Sequence, residues 1–141
     1  MPYTLRDGPG FQLLRTAALF KHAFAKALRP YDITPVQFAL LGLLWERDGL
    51  NQHEIATLLG KDRPNITRIL EKLELKGMVV RERDPEDRRS TRVFLSPLAL
   101  QQRRELESVA LDFRAYALEG LAESERTILQ QLLLRLMENL R

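Results

Sequence analysis

Two short stretches of this chain concentrate side chains that can bind nucleic acid. The first, DRPNITRILEK at residues 62–72, contributes five polar side chains: Arg63, Asn65, Thr67, Arg68 and Lys72. Arginine pairs with the O6 and N7 acceptors of guanine and asparagine pairs with adenine, whereas threonine can contact bases, methyl groups or phosphate. Near the start of a helix this set is suited to reading base edges in the major groove, with Lys72 one turn further on and better placed for phosphate.

The second stretch, VVRERDPEDRRSTRVFLSP at residues 79–97, carries five arginines and four acids in nineteen positions. Residues 79–83 and 91–95 have the composition of strands, and the turn-rich DPEDRRS between them predicts a hairpin. An arginine-tipped loop can enter the narrow minor groove, where the potential is most negative. We therefore expect DNA contacts from Arg88 and Arg89 at the tip and from Arg92. Asp87 is expected to pair with the guanidinium of Arg89 and hold its direction.

The positive charge of the chain is localised in the same region. The whole chain has a formal net charge of +3, and residues 61–92 hold ten Lys or Arg against seven Asp or Glu. The remaining residues hold twelve of each sign, so the entire excess lies in this segment. A local positive excess is typical of a surface that binds a polyanion, although a solvated, salt-bridged surface would have the same charge.

Capping signals divide the chain into six helices and the hairpin. Thr34 and Asn51 each precede a Gln or Glu by three residues, which predicts capping boxes, and Ser96 with Pro97 predicts another helix start. Pro30 is expected to end the first helix. The predicted helices cover residues 11–29, 35–47, 52–59, 63–76, 98–120 and 123–140, and the predicted strands cover 79–83 and 91–95.

The fourth helix has two distinct faces. Its apolar residues at positions 66, 69, 70 and 73 recur at helical spacing, while Asn65, Arg68 and Lys72 lie together on the opposite side. A short helix, a glycine-containing turn, this helix and then a hairpin form the order of a helix-turn-helix followed by a wing. The predicted fold class is therefore mainly α with a small β-hairpin wing.

The terminal helices carry more apolar residues than one small core can bury. The last helix alone has eight apolar residues between positions 128 and 140, too many for a single narrow stripe. A second copy of the chain is the simplest partner for these faces, so we expect a homodimer. The expected organisation is one structural domain with three regions: a dimerisation helix at 1–33, the winged helix-turn-helix at 34–96, and dimerisation helices at 97–141.

The stretch GLNQHEIATLLGKDRPNITRILEKLELKGMVVRERDPEDRRSTRVFLS, residues 49–96, resembles the multiple-antibiotic-resistance regulator (MarR) family of winged-helix transcription factors. The wing signature of that family, Asp-x-Arg-x5-Leu-Thr, is matched by Asp87, Arg89, Leu95 and Ser96, with serine in place of threonine. Ala99 stands where the family usually has glycine. The resemblance implies an obligate dimer on pseudo-palindromic double-stranded DNA, a ligand pocket between the two regions, and repression as the common mode of regulation.

Other functional classes are less well supported by the sequence. A winged helix can also serve as a protein-interaction module without DNA binding, and that alternative stays open. An enzyme is not expected, because the chain has no Gly-rich phosphate loop, no metal-ligand cluster and no triad around its two histidines. His53 is interpreted as helix surface or backbone contact.

The absence of cysteine excludes thiol oxidation sensing and thiolate zinc sites. By elimination, the expected effector is an aromatic or amphipathic small molecule, if there is one, and no cofactor is expected. A ligand or metal role for His22 is left open. The sequence has no signal peptide pattern and no apolar run of membrane-spanning length, which favours a cytoplasmic protein without membrane contact.

Overall fold

The computed structural model describes residues 2–141 and confirms the predicted fold class. Within these residues the chain forms six α-helices, one short 3-10 helix and one antiparallel hairpin. In chain order they are α1 (Pro9–Leu28), the 3-10 helix (Arg29–Tyr31), α2 (Pro35–Glu46), α3 (Gln52–Leu59), α4 (Arg63–Leu75), β1 (Val79–Arg83), β2 (Thr91–Leu95), α5 (Pro97–Ala117) and α6 (Glu123–Asn139).

The helix starts follow the predicted caps. Thr34 Oγ1 accepts from the backbone N–H of Gln37 at 3.2 Å, and Gln37 Oε1 accepts from the N–H of Thr34 at 3.1 Å. Asn51 and Glu54 form the same reciprocal pair at the start of α3. Each box satisfies backbone donors that the first turn of a helix cannot pair internally. Local chemistry therefore sets where α2 and α3 begin.

The first α-helix ends before Pro30, as predicted, and a short 3-10 helix follows it. The α-helix ends at Leu28, and the chain continues through the 3-10 helix that contains Pro30. The fixed φ of proline is compatible with a helical turn, and at an early position of that turn its missing N–H costs little. Asp32, with φ +54°, then redirects the chain toward α2.

The core lies between α2, α3, α4, α5 and the hairpin, and an aromatic cluster extends it to α1. Phe24 stacks on Phe113 at a centroid distance of 4.9 Å and meets Phe38 edge-on at 5.3 Å. Phe38 in turn meets Trp45 at 5.8 Å. Edge and offset contacts of this kind add to the stabilisation from area burial. The cluster joins α1, α2 and α5 into one body.

The first and last helices, α1 and α6, have apolar side chains that are exposed to solvent. No residue of α6 is buried, and its large apolar side chains are between 38 and 53% exposed from Ile128 to Met137. On α1, Leu14 and Phe20 are also exposed. Contiguous apolar surface of this kind marks an interaction site in soluble proteins. No helix within residues 2–141 is long and apolar enough to span a membrane.

Candidate nucleic-acid interface

The pairing of α3 with α4 fixes the orientation of α4. Gly60, at φ +64°, ends α3, and Asp62 begins α4 by accepting from the N–H of Asn65 at 2.9 Å. Ile66 and Leu70 are fully buried against the core. With its apolar face held in this way, α4 must present its polar face to solvent.

That polar face carries a connected side-chain network. Asn65 donates through Nδ2 to the carboxylate of Asp62 at 3.1 Å, and its Oδ1 accepts from Nη2 of Arg68. Arg63, Arg68 and Lys72 are exposed, whereas Asn65 is half-buried. The arginine is thus held against the first turn of α4 while its other N–H donors stay free, which is a pre-oriented arrangement for contacting a base edge.

Thr67 occupies a different environment from the other predicted residues of α4. Its hydroxyl donates to the main-chain oxygen of Arg63 at 3.0 Å and accepts from Nε2 of Gln52 at 3.3 Å. Gln52 is itself buried on α3. The hydroxyl of Thr67 is therefore used in the contact between the two helices, and the sequence pattern of α4 alone gave no sign of its partner.

The loop of the wing is held by its own backbone and by Asp87. The N–H of Asp84 donates to the oxygen of Ser90 at 3.0 Å, and the N–H of Ser90 donates to the oxygen of Asp87 at 2.9 Å. The carboxylate of Asp87 accepts from the backbone N–H of Arg89 at 3.0 Å. Among residues 2–141, the ion pairs do not include the predicted one between this carboxylate and the guanidinium of Arg89. Asp87 therefore orients the loop through the main chain, leaving the guanidinium exposed.

The turn before α3, residues 48–51, forms hydrogen bonds with β2 on the side away from β1. Gly49 N–H donates to the oxygen of Val93 at 3.0 Å, and Val93 N–H donates to the oxygen of Leu50 at 2.8 Å. The Asp48 carboxylate accepts from the N–H of Leu95 at 2.9 Å. β2 is thus flanked on both sides. The sequence indicated only a turn at residues 48 and 49, because pairing over more than forty residues leaves no local signature.

Arg92 points into this junction rather than along the wing. Its Nε donates to the oxygen of Gly49 at 3.0 Å, and its guanidinium carbon lies 5.2 Å from the centroid of the Phe94 ring. The side chain is half-buried. Arg92 is therefore part of the contact that fixes the wing to the turn before α3, while Arg88 and Arg89 project at the exposed tip.

The fold brings the start of α4 and the wing together. Arg63 from α4 and Asp87 and Arg89 from the wing line one cavity of about 370 Å³. Arg68 and Lys72 do not line it. The predicted residues thus fall into four groups. Arg63, Asp87 and Arg89 line the shared cleft, and Asn65, Arg68 and Lys72 lie on the polar face of α4. Arg88 is exposed at the wing tip, and Thr67 and Arg92 make internal contacts.

A second cavity of about 520 Å³ lies between α1 and α5, away from the wing. His22, Lys26, Asp112 and Tyr116 contribute polar groups to it, and Phe113 forms part of its apolar wall. A mostly apolar wall with a few polar groups suits an amphipathic small molecule. Among residues 2–141, no group of three or more His, Asp or Glu side chains could hold a metal ion.

Comparison with known proteins finds similarity to one family. The MarR family profile matches residues 33–91. A protein of Thauera aromatica, described as a transcriptional regulatory protein for the hcr operon, is 30% identical over 132 residues, which cover 90% of this chain and 77% of that protein.

Two solved structures share the fold across nearly the whole chain. The transcriptional repressor CouR, bound to a 23-mer DNA duplex, has a TM-score of 0.87 and 31% identity, covering 97% of this chain and 99% of CouR. A MarR-family transcriptional regulator from Rhodococcus sp. RHA1 has a TM-score of 0.86 and 26% identity, covering 94% of each chain.

Proposed function

This chain belongs to the MarR family of DNA-binding transcriptional regulators, and we propose from that premise that it is a dimeric repressor of pseudo-palindromic operators. The observation that carries the proposal is the polar face of α4, where Arg68 is oriented by Asn65 beside an exposed, arginine-tipped wing. CouR, which shares this fold, is a repressor bound to a DNA duplex. The regulator class also excludes an enzymatic role.

We assign the contacts by the chemistry of each side chain. Asn65 and Arg68 read base edges in the major groove. Arg63 and Lys72 contact phosphates flanking the same groove. The guanidinium groups at the wing tip enter the adjacent minor groove, where readout depends on groove width more than on base identity. This last role belongs to Arg88 and Arg89.

Three further residues are assigned a positioning role. Thr67 couples α3 to α4, Asp87 orders the wing loop, and Arg92 fixes the wing to the turn before α3. Each of them uses its polar side chain within the protein. Their contribution to DNA binding is to hold the contacting residues in place.

Dimerisation is assigned to the terminal regions, residues 1–33 and 97–141, and DNA binding to residues 34–96. The support is the exposed apolar surface of α6, for example at Leu132 and Leu136, which are 49 and 41% exposed. Burying that surface between two copies would remove it from water. It would also set two α4 helices at a fixed spacing, as a pseudo-palindromic operator requires.

The cavity between α1 and α5 is assigned to an amphipathic small-molecule effector. It adjoins Phe113 and the helices assigned to dimerisation, so a ligand there would alter the relative position of the two DNA-binding regions. The protein acts in the cytoplasm, the compartment that a cysteine-free DNA-binding regulator fits.

Selection of duplexes from a random pool, followed by footprinting, tests the proposed function. We expect two half-sites about ten base pairs apart, centre to centre, each covered by one protomer. Affinity should fall steeply between about 50 and 200 mM salt, because several Lys and Arg side chains displace counterions. Protection of a single half-site would contradict the proposal that the protein binds its operator as a dimer. Absence of any selected duplex would instead favour the protein-interaction module.

A further inference from the structure

The two elements proposed to read DNA, α4 and the wing, are separated by a gap. One sugar–phosphate backbone of the duplex must pass through this gap. A helix in the major groove and a wing in the next minor groove lie on either side of a single strand, since adjacent grooves are separated by one backbone. In this protein the gap is the 370 Å³ cavity where α3, the start of α4 and the wing meet. We call this cavity the notch.

The walls of the notch carry hydrogen-bond donors and cationic groups. His53 comes from α3, Arg63 from α4, and Arg89 and Ser90 from the wing. Arg63 and Arg89 are exposed cations from opposite walls. Such a set matches a phosphodiester, whose oxygens accept hydrogen bonds and carry the negative charge.

His53 is placed to contact that backbone from two sides. Besides the notch, it lines an adjoining groove of about 490 Å³ together with Lys61 and Arg63. The two cavities therefore share His53 and Arg63, and both open on the cationic surface at the α3–α4 junction. His53 itself is exposed, so its imidazole is accessible to a duplex.

The acids near His53 have other partners. The carboxylate of Asp87, across the notch, accepts from the backbone N–H of Arg89 at 3.0 Å. On the histidine's own helix, Glu54 accepts from the N–H of Asn51 at 3.2 Å and lines a different cavity. The charged groups that face His53 are thus Lys61, Arg63, Arg89 and Asp87, which together carry a net positive charge.

We propose that His53 binds a DNA phosphate in the notch as an imidazolium, so that operator binding takes up a proton at each half-site. The inference rests on the proposed function and deepens it, because it adds a contact and a regulatory variable to the same surface. Histidine ordinarily changes charge between about pH 5 and 8. A phosphodiester favours the charged imidazolium over the neutral form, because opposite charges attract.

The direction of the pH effect follows from that attraction. Because binding takes up a proton, the affinity rises as the pH falls, and the gain is lost at higher pH. We expect the wild-type protein to bind a selected duplex roughly three- to tenfold more tightly per half-site at pH 6 than at pH 8. The slope of log affinity against log salt should also steepen by about one per His53 at the lower pH.

Fluorescence anisotropy of the full-length protein on a duplex selected from a random pool provides the test. His53→Gln should lack the gain at pH 6, so that its affinities at pH 6 and pH 8 differ by much less than those of the wild type. His53→Lys, which carries a permanent charge, should bind tightly at both values. Arg104→Gln, which removes an exposed positive charge on α5 outside the cavities described above, is the matched control and should keep the full pH effect.

The outcomes separate this inference from the proposed function. If the wild type selects and binds a duplex but His53→Gln keeps the gain at pH 6, the phosphate contact of His53 is overturned and the proposed function stands. The same holds if the wild-type affinity is equal at both pH values. If the wild-type protein binds no duplex at either pH, both proposals fall. The chain has only one other histidine, His22. If the pH effect is retained in His53→Gln, the variant His22→Gln tests whether His22 is its source.

Discussion

The guanidinium of Arg92 and the backbone of Gly49 form the contact that fixes the wing. Arg92 Nε lies 3.0 Å from the oxygen of Gly49. The Phe94 ring and the end of the Arg92 side chain lie close to the place that a side chain at residue 49 would occupy. A Cβ added at Gly49 would lie 2.8 Å from Nη2 of Arg92 and 2.9 Å from Cε1 of Phe94. Gly49 also has a φ of +79°, which L-residues rarely adopt. The angle of the wing thus depends on a glycine that lies outside it.

Gly49→Ala should therefore destabilise the fold and displace the wing. The left-handed backbone and the overpacking of Arg92 and Phe94 together should cost about 2–4 kcal/mol of unfolding free energy. Urea denaturation measures that loss, and operator affinity should fall with it. The matched control is Gly120→Ala, where φ is +84° but nothing lies within 4 Å of the added Cβ, so only about 1 kcal/mol should be lost. Equal losses in the two variants would mean that the junction at Gly49 is not tightly packed.

Arg68→Ala should weaken operator binding at one base position. Loss of a bidentate base contact should cost about 1–3 kcal/mol and relax the preference at that position only, as measured by binding to a set of single-base operator variants. Because Asn65 orients Arg68, a double-mutant cycle with Asn65→Ala should show coupling of at least about 0.5 kcal/mol.

Lys72→Ala serves as the comparison for Arg68→Ala. As a phosphate contact, Lys72 should affect all operator variants alike and lower the salt slope by about one. A base-specific effect of Lys72→Ala, or a uniform effect of Arg68→Ala, would contradict the roles assigned to the two residues.

Arg89→Ala should weaken binding to every operator variant, most strongly where A·T tracts narrow the flanking minor groove. Asp87→Ala should reproduce part of that loss, since it removes the acceptor for the backbone N–H of Arg89. Asp87→Asn keeps a side-chain oxygen at the same place and should bind more tightly than Asp87→Ala. Affinities on operators with A·T-rich and G·C-rich flanks provide the comparison, after thermal melts confirm folded variants. Wild-type affinity of Arg89→Ala on all flanks would exclude the wing from the minor groove.

Leu132→Asp should weaken self-association. Light scattering should give the wild type a mass of about twice the 16.4 kDa chain at micromolar concentration, because the uncovered face of α6 is buried between copies. A carboxylate placed in that interface must be desolvated and should shift the mass toward the monomer. Gln131→Asp adds the same charge at a neighbouring exposed polar position and should remain dimeric. A wild-type mass near 16 kDa would refute the dimer.

Several features of this protein follow from short stretches of sequence. The caps at Thr34, Asn51 and Ser96 and both wing strands lie where the sequence predicts, because a side chain that bonds to a backbone group three residues away acts locally. The division of α4 into a buried and a polar face is equally local, since helical periodicity alone sets it. The family resemblance rests on the same contiguous stretch.

The side-chain partners of Thr67 and Arg92 and the cationic surroundings of His53 were decided only by the tertiary structure. Residue type suggested DNA contacts for the first two, but the hydroxyl of Thr67 meets Gln52 across fifteen residues and Arg92 meets Gly49 across forty-three. His53 acquires its cationic surroundings from α4 and from a wing more than thirty residues away. Side-chain type and helical spacing determine which face of an element is polar. Which neighbour uses each polar group depends on packing between distant segments, which no local pattern encodes.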